Sequence, residues 1–186
     1  MNLPNKLTTA RVVLIPVFLL ALYRGYWLGA LIVFALAAVT DALDGHIARS
    51  QGLVTDFGKF MDPLADKLLV TAALLAFVEL LDVPAWAVFL IIARELAITG
   101  LRTLAAGKGV VLAADKWGKI KTVTQMVWIC YGLVMGFCVE NHLVRGGAGW
   151  GMYVVFQAGL VLVLCTTLLS GWNYLWKNRS LFSQMK

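Results

Sequence analysis

The chain has 186 residues, 61% of them apolar, a mean hydropathy of +0.82 and a formal net charge of +6. A soluble domain of that length has no interior large enough for so much apolar surface. The composition therefore excludes an ordinary globular protein and points to an all-α, polytopic membrane protein with a single domain over residues 1–186.

The first apolar run, "LTTARVVLIPVFLLALY", predicts a helix from about Leu7 to Tyr23. It has the basic start of a secretion signal, but no small-residue cleavage site follows, so it reads as a retained first span. A second helix is expected from Trp27 to Ser50, and the turn "QGLVTD" leads into a third from Phe57 to Leu81. Asp82-Val83-Pro84 breaks the third helix from a fourth, Pro84 to Ala106. A fifth is expected from Lys116 to Val139. Gly146-Gly147 with Gly149 then separates it from a sixth, Trp150 to Trp176. Each is long enough to cross ~30 Å of hydrocarbon at ~1.5 Å per residue, giving six transmembrane helices.

An even number of spans puts both termini on one side. The loops of that side carry Lys6, Lys108, Lys116, Lys177, Arg179 and Lys186, with Arg49, Lys59, Arg102 and Lys119 at nearby helix ends. The opposite loops offer Arg24 and Arg145, offset by Asp82 and Glu140. The positive-inside rule thus predicts a multi-pass membrane protein with both termini in the cytoplasm. The basic charge follows topology, and no nucleic-acid partner is expected. Cys130, Cys138 and Cys165 lack ligand spacing and read as small hydrophobes.

Four aspartates stand out in this oily chain. Asp44 is six residues before Ser50 and Asp62 five after Phe57, while Asp41 and Asp66 each lie nine from those ends. In a helical hairpin the carboxylates therefore form two layers, ~8 and ~14 Å from the turn, in the cytoplasmic half of the bundle. Asp41, Asp44, Gly45, Ala48 and Arg49 share an arc of about 140°. Gly58, Asp62 and Asp66 stack one turn apart on the third helix, so acids and small residues line one pocket. Converging carboxylates repel unless counter-charged, and hard oxygen donors suit Mg²⁺ or Mn²⁺. His46, turned about 100° from Gly45, reads as a flanking residue. A cation or proton pathway also uses intramembrane acids, but it predicts acids on both sides of the midplane and inverted repeats. This chain shows neither pattern. A purely structural subunit leaves the desolvated acids unexplained.

The remaining deep charges are cationic. Arg94, beside Glu95, lies some thirteen residues from the cytoplasmic end of the fourth helix, with Arg102 two turns nearer the surface. An arginine that deep meets either a phosphate or an internal acid. "KWGKIKT" adds Lys116, Lys119 and Lys121, and "NLPNKLTTAR" adds Asn5, Thr8 and Arg11.

From Asp41 to Asp66 the chain reads DxxDGxxAR, eight residues, then GxxxDxxxD. This pattern resembles the signature of the CDP-alcohol phosphotransferases, six-helix membrane enzymes that displace CMP from a CDP-linked alcohol or lipid. The resemblance implies that Asp41, Asp44, Asp62 and Asp66 bind metal, as two Mg²⁺ or Mn²⁺ ions, with Asp66 also the general base. Asp41, Gly45, Ala48, Arg49, Gly58 and Lys59 would hold CDP-diacylglycerol. Lys59 could equally meet a lipid headgroup. "NLPNKLTTARVVLIPVF", "ARELAITGLR" and "KWGKIKT" are further similar to the bacterial phosphatidylglycerophosphate synthases within that family. That similarity implies glycerol 3-phosphate as acceptor, its phosphate on Arg94, Arg102, Lys119, Lys121 and Arg11. It also implies membrane lipids as surroundings and a homodimer as the family's common assembly. Synthases of phosphatidylserine, phosphatidylinositol phosphate or cardiolipin share the aspartates and differ only at the acceptor side.

Overall fold

A computed structural model describes the backbone of residues 3–51, 56–107, 115–144 and 146–179, with side chains for 9–40, 65, 67–107, 115–144 and 146–179. It contains six helices: α1 (Leu3–Tyr23), α2 (Trp27–Gln51), α3 (Asp56–Leu80), α4 (Ala85–Gly107), α5 (Lys116–Glu140) and α6 (Gly147–Lys177). All six expected elements are present, and the differences lie at their ends. α1 begins four residues earlier than Leu7, which places Pro4 in the first turn, where a missing N–H leaves no intrahelical bond unmade. α6 begins at Gly147, so Gly147 and Gly149 are helical, and of the three glycines Gly146 alone, at φ 60°, lies in the break that follows Glu140. An apolar setting explains this, because unpaired backbone there costs more than the ~1 kcal/mol helix penalty of glycine.

Among the described residues, α5 and α6 are long and apolar enough to cross a membrane, and Thr9–Tyr23 and Trp27–Thr40 are shorter apolar helices. The chain divides into two compact units.

The first unit comprises Met1–Asp82 and Gly132–Arg145, which is α1, α2, α3 and the end of α5. Gly25, at φ 77°, makes the tight turn between α1 and α2. Phe18 and Phe34 pack across that hairpin with ring centroids 5.8 Å apart. α3 presents Ala65, Leu69, Ala72, Ala73, Ala76 and Phe77 as its buried stripe, and small residues there allow close helix approach. Tyr23 donates its hydroxyl to Glu79 Oε2 at 2.8 Å, tying the ends of α1 and α3.

Gly136 lies against the Trp27 indole so closely that an added Cβ would come within 2.2 Å of it. Gly136→Ala therefore forces the buried indole to move and is expected to destabilise the protein by roughly 1–3 kcal/mol. Thermal unfolding in detergent checks this; an unchanged Tm would show that the contact is not tight.

The second unit comprises Val83–Tyr131 and Gly146–Lys186, which is α4, the first part of α5, and α6. α6 buries Phe156, Leu160, Val163, Thr167, Ser170, Gly171 and Tyr174, a stripe at helical spacing. Trp128 of α5 stacks on Phe156 at 4.9 Å and donates its Nε1–H to the Phe156 carbonyl at 2.9 Å. Gly159 makes room for it: a Cβ there would lie 2.6 Å from Trp128 Cδ1. At the other end of the helices the Asn173 amide donates to Asp115, whose second oxygen accepts from the Lys116 backbone N–H.

Candidate active site

In the first unit the contacts between helices fix which residues are level. Phe18 meets Phe34 across an antiparallel hairpin, so stepping back along α1 to Arg11 means stepping forward along α2 to Thr40 and its successor. Tyr23 meets Glu79 where α1 and α3 run parallel, so Arg11 is level with Lys67. Arg11 is 1% exposed. Thr40 and Lys67 immediately bracket the aspartate segment in the sequence.

Asp41 and Asp44 fall within α2, and Asp62 and Asp66 within α3. Their side chains, with those of Gly45, Ala48, Arg49, Gly58 and Lys59, lie outside the described residues, as does Lys108. Among the described residues no group of three or more His, Cys, Asp or Glu could hold a metal ion. Carboxylates are the hard oxygen donors that Mg²⁺ or Mn²⁺ takes.

The second unit gathers most of the basic candidates. Lys121 is 1% exposed, and its ammonium is ion-paired to Glu95 Oε1. Arg94 Nη1 lies 3.6 Å from the same oxygen. The Arg94 side chain threads between small residues: a Cβ on Gly171 would be 3.2 Å from its Cγ, and one on Gly118 would be 3.9 Å from Nη2. Arg102 is exposed and donates from Nε to the Tyr174 hydroxyl at 3.1 Å, with its guanidinium carbon 5.3 Å from the centre of that ring.

These neighbours revise the depth of Arg94. Counted along its own helix it is thirteen residues from the end, yet it sits level with Gly171, only six residues before the end of α6. That is ~9 Å of helix. α4 runs on past α6, so the count along α4 overstates how far Arg94 is from the surface. Lys119 is exposed, about 200° round α5 from buried Lys121. The structure therefore brings Arg94 and Lys121 together around Glu95, and Lys119 lies on another face.

Sequence reasoning did not single out Tyr174 or the shared role of Glu95. The signal for burial was present in α5, where Lys121, Gln125, Trp128, Gly132 and Gly136 recur on one face. A lysine opening such a stripe is buried and demands an acid.

Comparison with known proteins adds independent information. The profile of the CDP-alcohol phosphatidyltransferase family matches residues 1–171. A CDP-diacylglycerol–glycerol-3-phosphate 3-phosphatidyltransferase of Bacillus subtilis is 42% identical over 192 residues, covering 95% of each chain. One of the same description from Rickettsia felis is 36% identical over 180 residues, covering 93% of each. A probable phosphatidylglycerophosphate synthase of Mycobacterium tuberculosis is 45% identical over 135 residues, 69% of this chain and 64% of that one.

Proposed function

The chain belongs to the CDP-alcohol phosphatidyltransferase family, and from that premise we infer the reaction, its site and its setting. The protein transfers the phosphatidyl group of CDP-diacylglycerol to glycerol 3-phosphate, giving phosphatidylglycerophosphate and CMP. The observation that carries this assignment is the near full-length similarity to enzymes described by that activity.

The aspartate spacing on α2 and α3 would bring four carboxylates to two levels. Arg11 of α1, 1% exposed, is level with the start of that segment. A buried arginine is stable only beside negative charge. Arg11 therefore serves as fixed counter-charge, to the deeper aspartates or to the acceptor phosphate. Asp41, Asp44, Asp62 and Asp66 would hold Mg²⁺ or Mn²⁺, as two ions, which when bound neutralise charge on the diphosphate and on the departing CMP oxygen. Asp66 takes the proton of the acceptor hydroxyl. The hydroxyl oxygen forms a bond to the phosphorus bearing diacylglycerol, and the bond from that phosphorus to the CMP oxygen breaks in line. Gly45, Ala48 and Gly58 leave room for the cytidine and diphosphate, with Asp41, Arg49 and Lys59 against them. Arg94, Arg102 and Lys121 receive the acceptor phosphate, and Lys119, on another face of α5, stands apart from them. Glu95 holds Lys121 and Arg94 ready for that phosphate.

The family profile runs through both compact units, which supports reading residues 1–186 as one catalytic domain. We place it as six spans in the cytoplasmic membrane with both termini and the pocket on the cytoplasmic side, on the asymmetry of basic residues. The lipid chains then stay in the leaflet while glycerol 3-phosphate and CMP exchange with water. A homodimer is consistent with the exposed apolar helix faces.

The test of the acceptor is direct. Purified protein with CDP-diacylglycerol and Mg²⁺ should release CMP with glycerol 3-phosphate and not with serine, inositol phosphate or phosphatidylglycerol. Product from serine alone would assign a different acceptor while leaving the donor chemistry in place.

A further inference from the structure

The three basic side chains of the second unit assigned to the acceptor phosphate are held in two different ways. Lys121 and Arg94 share the Glu95 carboxylate. Arg102 is exposed and makes no ion pair among the described residues. Its Nε donates to the Tyr174 hydroxyl at 3.1 Å, its guanidinium carbon lies 5.3 Å from the ring centre, and its Nη groups have no protein partner among the described residues. Tyr174 is itself firmly fixed. It is 3% exposed and packs with Ile98 and Leu101 of α4. Its carbonyl accepts from the Asn178 backbone N–H at 3.2 Å and from Asn178 Nδ2 at 2.7 Å, which closes the last turn of α6. Gly171, one turn earlier on the same side of α6, makes room for Arg94. One stripe of α6 thus seats both arginines of α4.

An exposed arginine near a helix end samples many rotamers, and stilling it for a ligand costs side-chain entropy. A carboxylate partner would still it but would also satisfy its charge, and an incoming phosphate would have to displace that acid. Buried Lys121 needs its acid when no phosphate is present; solvent-exposed Arg102 does not. A phenol is neutral. It orients the guanidinium through Nε and the ring face while leaving the positive charge unneutralised. Because Nε is the nitrogen engaged, both Nη groups stay available as the fork that grips two phosphate oxygens. Packing alone does not require the hydroxyl, since the ring fills its place beside Ile98 and Leu101 without it.

We propose that Tyr174 is a positioning residue for the acceptor, its hydroxyl aiming the Arg102 fork at the phosphate of glycerol 3-phosphate. Tyr174 acts on acceptor affinity and takes no part in proton transfer or in the bonds made and broken. The inference rests on the reading of Arg102 as a contact to the acceptor phosphate, and the variants below separate the two.

The experiment measures CMP release by the full-length protein in mild detergent, with CDP-diacylglycerol and Mg²⁺ saturating and glycerol 3-phosphate varied. Tyr174→Phe keeps the ring and removes the oxygen. It should raise the KM for glycerol 3-phosphate about three- to tenfold with a smaller change in kcat, leaving the Tm and the KM for CDP-diacylglycerol unchanged. The Ki of inorganic phosphate, as a competitor of glycerol 3-phosphate, should rise by the same factor. Arg102→Met should raise that KM about tenfold or more, and adding Tyr174→Phe to it should raise it no further. If Tyr174→Phe does not fold, Arg102→Lys carries the test: an ammonium keeps the charge but has no fork to aim, so the KM should still rise. An unchanged KM in Tyr174→Phe, or in Arg102→Lys, would overturn the proposal. So would an equal effect of Tyr174→Phe with and without the Arg102 guanidinium, which would mean that Tyr174 does not act through it. An unchanged KM in Arg102→Met would remove Arg102 from the acceptor site and the proposal with it, while CMP release with glycerol 3-phosphate would still uphold the reaction itself.

Discussion

Asp66→Asn is expected to lower CMP release by about 10²–10⁴-fold even when Mn²⁺ saturates the site, because the amide can still offer an oxygen to the metal but cannot accept the hydroxyl proton. Asn at any of the four aspartates removes one unit of negative charge and so weakens Mn²⁺ binding. At Asp41, Asp44 or Asp62 that weakening is the cause of the lost turnover, which higher Mn²⁺ therefore restores. Two readouts separate the roles: Mn²⁺ binding by electron paramagnetic resonance, and CMP release at saturating substrate. If higher Mn²⁺ restored the turnover of Asp66→Asn as well, Asp66 would be a ligand only, and the base would have to be sought elsewhere. If it retained full turnover, the proton would not pass through this carboxylate.

Glu95→Gln is expected to destabilise the protein by roughly 3–5 kcal/mol, nearer the lower figure because Glu95 is 26% exposed. The substitution leaves the buried ammonium of Lys121 and the guanidinium of Arg94 without their shared carboxylate. The same deficit gives a signature that a merely structural glutamate would not. Glycerol 3-phosphate, or inorganic phosphate as its mimic, should raise the Tm of Glu95→Gln more than that of the unaltered protein, because the anion replaces the missing charge. Lys121→Met should instead raise the KM for glycerol 3-phosphate by about tenfold or more with a smaller change in kcat, since it removes a charge-assisted contact made already in the ground state. Equal stabilisation of both proteins by phosphate would mean that the Glu95 cluster is packing alone.

The elements were legible in the sequence because apolar runs of span length admit one backbone solution in lipid. Their ends were less so. Gly146, Gly147 and Gly149 look equivalent on the page, yet only Gly146 adopts a positive φ, because a helix in apolar surroundings extends through glycine until a turn is forced. The aspartate pattern marks a candidate site because its spacing fixes both height and face on two consecutive helices, and its side chains lie outside the described residues. Tertiary pairings were not. Nothing in the sequence joins Lys121 to Glu95, Arg102 to Tyr174 or Tyr23 to Glu79, pairs that lie 26, 72 and 56 residues apart. Nor does a count along α4 reveal that α4 overruns α6. Depth in a bundle is set by neighbouring helices, and a single helix read alone has no such reference.

The claim on which the rest depends is that carboxylates from α2 and α3 hold divalent ions for a nucleotide-linked lipid. Its most direct test is glycerol-3-phosphate-dependent CMP release from CDP-diacylglycerol by the purified protein in excess EDTA, followed by addition of Mg²⁺ or Mn²⁺ above the chelator. The account predicts no release in chelator and full recovery with metal, whereas undiminished release in chelator would contradict it.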